Sequence, residues 1–277
     1  MLRLQCLYDE ILIFASMVFY LAMTPCNYVV GSRAYVSIHV DDVCMSIRST
    51  RNPRMKVEPF RDEHPKLPTV CGFIHHPVGD TGDALILAHA AAANCNSPLL
   101  IALATAFSTS GITVLRCDLP FRVARSNGRP PASFAARDQA GLRRAVELMK
   151  ARVSRAVYLG GHAYGGHQAS LLAVSDPTLI AGLLLLSYPL HPPKQPTPLR
   201  TEHFLSLRTP AMFVHASKDP FGTPDELRSA VGAIQATTRI VLVENARHEL
   251  LADSNTDTLP GVVVSEFRGF FGPRTKA

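Results

Sequence analysis

The chain has 277 residues, which is room for one α/β domain of about 200 residues and an extension. Hydrophobic residues make up 47% and charged residues 18%, a balance that excludes a disordered or low-complexity chain. The net charge is +6, but the basic residues are scattered with no run of five or six, so they read as a solvated surface and nucleic acid is not expected as a partner.

Residues 1–65 do not resemble the rest. Ile11 to Met23 is free of charge but too short for a membrane span, which needs about 20 residues. Asp9 and Glu10 stand where a signal peptide would be basic, and no small-x-small cleavage site follows. These residues read as an atypical N-terminal extension, disordered or begun at a start codon placed too far upstream; a signal or interfacial anchor is the alternative. Membrane association is not expected. Cys6, Cys26, Cys44, Cys71, Cys95 and Cys117 form no C-x-x-C pair, which fits reduced thiols in a cytoplasmic protein.

Residues 66–277 read as one domain of alternating strands and helices. Val70 to His75 and Asp83 to His89 are strands separated by a Gly-Asp-Thr-Gly-Asp turn. Ser97-Pro98 opens a helix that ends at Gly111. Ile112 to Arg116 is a strand, and the prolines of residues 119–132 make a loop. Ser133 to Lys150 is an amphipathic helix with Leu142, Val146 and Met149 on its apolar face. Arg155 to Leu159 is a strand that meets a helix running to about Val174. Leu183 to Leu186, Pro210 to His215 and Arg239 to Val243 are further strands, Pro224 to Ala233 is a helix, and residues 260–271 close the chain with another. Continuous apolar strands alternating with helices imply a mostly parallel sheet covered on both faces, with ligands at the carboxyl ends of the strands.

The most informative stretch is Tyr158 to Ser170, YLGGHAYGGHQAS. A strand stops at paired glycines and a helix begins at once, the layout of a nucleophile elbow of the G-x-S-x-G type. The frame here is Gly161-His162-Ala163-Tyr164-Gly165, and the apex is Ala163, whose methyl group cannot attack a carbonyl. Asp219 follows the strand ending at His215, and His248 follows the strand ending at Val243, the order of acid and base that a Ser-His-Asp hydrolase uses. Taken singly, an Asp before Pro is a turn former and a lone His is a polar loop residue; their shared order and strand-end placement favour a triad site. Backbone N–H donors for an oxyanion would come from Tyr164 and from Ala90 and Ala91 in the segment His89 to Asn94. Glycine suits such a loop, and alanine there is expected to turn the donors away, at about 3 kcal/mol for one lost donor. Cys95, Ser97, Cys117 and Ser187 lie near strand ends as stand-in nucleophiles, but none sits in an elbow. His89, His162 and His248 lack metal-site spacing, and neither a metal nor another cofactor is expected.

From about Val70 to Phe271 the chain resembles a predicted α/β-hydrolase family of dienelactone-hydrolase-like sequences, which includes a testis-expressed animal protein and a subunit of a chromatin acetyltransferase complex. The resemblance rests on HAAAANCNSPLL (89–100), LRCDLPFR (115–122), GGHAYGGHQAS (160–170), LLLSYPLHPP (184–193), TPAMFVHASKDPFGTPDEL (209–227) and RHEL (247–250). It implies an α/β-hydrolase fold with helices on both faces of a mostly parallel sheet and no large lid, the proline-rich segment Tyr188 to Pro198 serving as a short cover. It also implies triad positions at Ala163, Asp219 and His248 and an oxyanion loop at Ala90 to Asn94. The family has serine where this chain has Ala163, usually glycine at 90 and 92, a small polar residue at 93, and glycine at 216. Several alanines on one face point to a naturally decayed copy rather than a designed knockout. The expected function is a pseudo-hydrolase with a pocket for a small acyl or carboxylate compound. The alternatives are a serine hydrolase of esters or lactones present as an inactive variant, and a protein-interaction module. A single Ala163→Ser change is expected to restore little esterase activity while the loop alanines remain.

Overall fold

The computed structural model describes residues 56–192, 195, 197 and 199–272. Eight strands form one sheet: β1 (Val57–His64), β2 (Leu67–His75), β3 (Ala84–Ala88), β4 (Thr113–Asp118), β5 (Val157–His162), β6 (Gly182–Leu186), β7 (Ala211–Ala216) and β8 (Thr238–Val243). Their order across the sheet is β1-β2-β4-β3-β5-β6-β7-β8. β2 runs antiparallel to both β1 and β4, and every other pairing is parallel. Among the described residues six α-helices accompany the strands: α1 (Pro98–Thr109), α2 (Pro120–Ala124), α3 (Ala135–Lys150), α4 (Tyr164–Ser175), α5 (Pro224–Val231) and α6 (Leu259–Phe271).

The central strands owe their place to burial on both faces. All five residues of β3 and all five of β6 are buried, so their sequences ALILA and GLLLL carry no polar alternation. On one face Ile86, Leu115, Leu159 and Leu185 pack with Leu142 of α3 and Leu172 of α4. On the other, Leu85, Val114 and Leu184 pack with Leu100 and Phe107 of α1 and Phe267 of α6. Each such leucine contributes about 2 kcal/mol relative to exposure. The covered, mostly parallel sheet read from the sequence is therefore present.

Two boundaries differ from the sequence reading. β1 lies inside the stretch assigned to the extension, so the ordered domain includes Val57–His64. Its apolar signal is weak because it is a sheet edge held by the backbone ladder to β2, with Asp62 taking the Arg144 guanidinium at 3.1 Å and Phe60 lying under Arg152. The rest of that expectation, the apolar run Ile11 to Met23 included, lies outside the described residues. The loop expected at 119–132 contains α2, begun by Pro120. Between β6 and β7 the described residues hold a 3-10 helix at Glu202–Ser206 and no larger inserted structure.

Candidate functional site

The junction of β5 and α4 lies at the carboxyl edge of the sheet, in its middle. Ala163 sits at the turn with φ 48° and ψ −109°, a conformation that costs a non-glycine residue about 1–3 kcal/mol. Close backbone approach holds it there: a Cβ on Gly161 would stand 2.5 Å from the Gly165 carbonyl carbon. One on Gly165 would stand 2.8 Å from the carbonyl oxygens of Ala88 and His89. The first turn of α4 therefore lies against the start of the loop that follows β3. The Ala163 N–H donates to the Leu186 carbonyl at 2.9 Å, tying the apex to β6.

The loops after β7 and β8 meet beside this turn. His248 Nδ1 lies 3.0 and 2.9 Å from the two carboxylate oxygens of Asp219, whose side chain is fully buried. Asp219 Oδ1 also accepts the Phe221 N–H at 2.9 Å, and the Phe221 ring stacks on His248 with centroids 4.2 Å apart. With Nδ1–H donating to the carboxylate, the His248 ring presents its Nε2, which has no partner among the described residues, as the free nitrogen. His162, next to the apex, has its imidazole 5.2 Å from that of His248 and donates Nε2–H to the His248 carbonyl at 2.8 Å. Burial pushes the His162 pKa down to about 4, so at neutral pH it is an uncharged brace.

The loop from His89 to Ser97 faces the same edge. None of Ala90 to Ala93 has a positive φ, so alanine carries no left-handed strain there. The left-handed strain by which alanine could turn the donors away is absent from residues 90–93. His89 donates Nδ1–H to the Ala90 carbonyl at 2.8 Å and accepts the Leu119 N–H on Nε2 at 3.1 Å, so both of its nitrogens are engaged in structure. Arg122, buried at 7% exposure, donates to the Ala93 carbonyl at 2.8 Å and the Ala91 carbonyl at 3.0 Å. Arg116 donates to the Cys95 carbonyl at 2.6 Å and to Asn96 Oδ1 at 2.7 Å. The backbone N–H groups of Tyr164, Ala90 and Ala91 have no acceptor among the described residues.

The Tyr164 side chain is anchored as well. Its hydroxyl donates to Asp138 Oδ2 at 2.8 Å, and the other Asp138 oxygen accepts the Phe121 N–H at 2.9 Å. Burial raises the Asp138 pKa against the pull of these two bonds. Asp138, Arg116, Arg122 and Phe221 were not among the residues singled out from the sequence. Asp138 had a readable signal, an acid on the apolar stripe of α3 that continues through Leu142, Ala145 and Met149.

The stand-in nucleophiles do not assemble. Burial, then the Asp118 carboxylate, pushes the Cys95 thiol up to about 12, and burial raises Cys117 well above the usual thiol range, so neither supplies a thiolate near neutral pH. The hydroxyls of Ser97 and Ser187 are buried with no hydrogen-bond partner among the described residues.

Residues 81–262 match the family described as alpha/beta hydrolase domain. Among solved structures, the chain is similar to an alpha-beta serine hydrolase homologue from Coxiella burnetii, at 18% identity and TM-score 0.61, over 76% of this chain and 96% of that one. It is similar to dienelactone hydrolase from Anabaena variabilis at 15% identity and TM-score 0.62, over 78% and 99% of the two chains. An α/β serine hydrolase without a lid from Xanthomonas campestris gives 15% identity and TM-score 0.59, over 80% and 97%. At these identities the likeness is one of fold.

Proposed function

Starting from the chain's membership of the alpha/beta hydrolase domain family, we propose that this protein is a pseudo-hydrolase that binds a small acyl or carboxylate compound without turning it over. Ala163 takes the place of the nucleophile, Asp219 and His248 are the retained acid and base, and the N–H groups of Tyr164, Ala90 and Ala91 hold the ligand's oxygen. One observation carries the reading. The apex keeps φ 48° although it bears only a methyl group, beside an Asp219–His248 contact of 2.9 Å.

In a working relative of this design, the histidine takes the serine proton and the carboxylate steadies the imidazolium that forms. Here His248 has no hydroxyl to deprotonate at the apex, so no acyl-enzyme forms. What remains is recognition: N–H groups suited to a carboxylate or carbonyl oxygen, and a strand-end position of the kind that α/β sheets use for ligands. Descent from the sequences that include the testis-expressed protein and the acetyltransferase subunit, a cytoplasmic setting and natural loss of the serine belong to the same proposal.

The test is a titration of the 15N-labelled protein with sodium butyrate. Saturable shifts of the Tyr164 and Ala91 amides are expected, reduced by Tyr164→Pro, which removes that N–H. No saturable shift at millimolar butyrate or at comparable concentrations of ethyl butyrate contradicts the reading and favours an interaction module.

A further inference from the structure

Arg122 is a charge in an unusual position. It is 7% exposed, and no carboxylate pairs with it among the described residues. Its guanidinium instead donates to four backbone carbonyls: Ala93 at 2.8 Å through Nε, Ala91 and Gly128 at 3.0 Å through Nη2, and Arg125 at 3.3 Å through Nη1. It also lies over the Phe121 ring, 4.9 Å from the centroid. Burying a cation without a counter-ion is costly, and each carbonyl recovers only part of that cost. Two of the four carbonyls belong to the loop between β3 and α1, at the edge of the sheet that carries Ala163.

The geometry of a trans peptide converts these bonds into a direction. Within each peptide unit the carbonyl and the following N–H point opposite ways. The Ala90 carbonyl is taken by His89 Nδ1 at 2.8 Å and by the Ala93 N–H at 3.0 Å, which fixes the Ala91 N–H on the far side. The Ala91 carbonyl is taken by Arg122, which turns the Ala92 N–H away from the guanidinium. The Ala93 carbonyl is taken by Arg122 too, and the Asn94 N–H is turned in the same manner. A loop of four consecutive alanines has no side-chain polarity of its own with which to choose these orientations.

We infer that Arg122 is a positioning residue of this site: its guanidinium grips the Ala91 and Ala93 carbonyls from behind, turns the Ala92 and Asn94 N–H groups outward, fixes the loop that carries the Ala90 and Ala91 N–H groups, and favours an anionic oxygen in front of them. The inference rests on the proposed ligand site and deepens it, since an unneutralised positive charge behind a row of N–H donors selects a carboxylate or oxyanion over a neutral ester. Arg122 touches no ligand itself; it acts through the peptide units it holds.

The experiment pairs a structure with a rate. Crystal structures of Arg122→Met and Arg122→Lys report the Ala91 peptide, and the labelling rate by a fluorophosphonate is measured for the same changes in an Ala163→Ser background. The Met variant is expected to release the Ala91 carbonyl and to slow labelling about a hundredfold, and Lys, which keeps the charge but has one nitrogen in place of the two that hold the carbonyls, is expected to recover part of that loss. If Arg122→Met fails to fold, the Lys variant decides alone, because its single nitrogen cannot occupy both the Nε and the Nη2 positions from which Arg122 donates to Ala93 and Ala91, so the Ala91 peptide must shift. An unmoved Ala91 peptide with unchanged labelling overturns the inference and leaves the proposed function standing. If Ala163→Ser alone does not label, the orientation of the Ala91 peptide in the Arg122 variants decides the inference by itself, and the butyrate titration decides the proposed function separately.

Discussion

The turn at Ala163 and the pair formed by Asp219 and His248 lie side by side, and they are maintained by different means. Asp219 and His248 hold each other through side chains, at 2.9 and 3.0 Å, with Phe221 stacked over the imidazole. The apex itself is held through close backbone approach, at Gly161 and Gly165, with the side chains of its neighbours His162 and Tyr164 anchored on either side. A side chain at the apex is therefore not needed to keep the apex in place. An apex that bears only a methyl group leaves the local geometry standing, whereas removal of either Asp219 or His248 would unmake their contact.

The strongest way to break this comparison is at the turn. Gly161→Ala would put a Cβ 2.5 Å from the Gly165 carbonyl carbon and 2.6 Å from the Gly166 nitrogen. We expect a loss of about 3 kcal/mol in unfolding free energy, read from urea denaturation. Stability unchanged within error would mean that the tight backbone contact does not shape the turn.

A smaller effect sharpens the link between the two regions, which runs through His162. Its pKa in the folded protein is held near 4 by burial, against an ordinary value of 6.5. Below pH 6.5 the unfolded chain binds a proton that the folded chain refuses, so stability falls as the pH drops from 6.5 towards 4. For this group the loss between pH 6.5 and 5 is about 2 kcal/mol. Burial holds His75, His167 and His203 near 4 as well, so the whole protein should lose stability over this interval. His162→Gln, which keeps a donor for the His248 carbonyl, should flatten the decline by its own share in unfolding curves at pH 5 and 7. An unaltered slope would show that His162 is not the neutral buried brace described.

Much of this was legible in the sequence, for identifiable reasons. β3 and β6 are buried on both faces, so they appear as unbroken apolar runs, and the glycines around Ala163 announce the strand-to-helix turn. Asp219 and His248 were readable because each follows a strand by a few residues. β1 was not, since its residues Glu58, Phe60 and Asp62 are only half-buried and its partner is a neighbouring backbone. Arg122 was hidden for another reason: its partners Ala93 and Ala91 lie 29 and 31 residues away and are carbonyls, which every residue possesses. Nothing in local composition distinguishes such an arginine from a solvated one.

The central claim is that the site lacks one side chain and little else. Its most direct test is fluorophosphonate labelling of the parent, of Ala163→Ser, and of Ala163→Ser with His248→Ala, each checked for folding by circular dichroism. The expected result is labelling of Ala163→Ser alone, because only that variant joins a hydroxyl at the apex to the retained base and carboxylate. A folded Ala163→Ser protein that stays unlabelled, or one labelled equally well without His248, would contradict it.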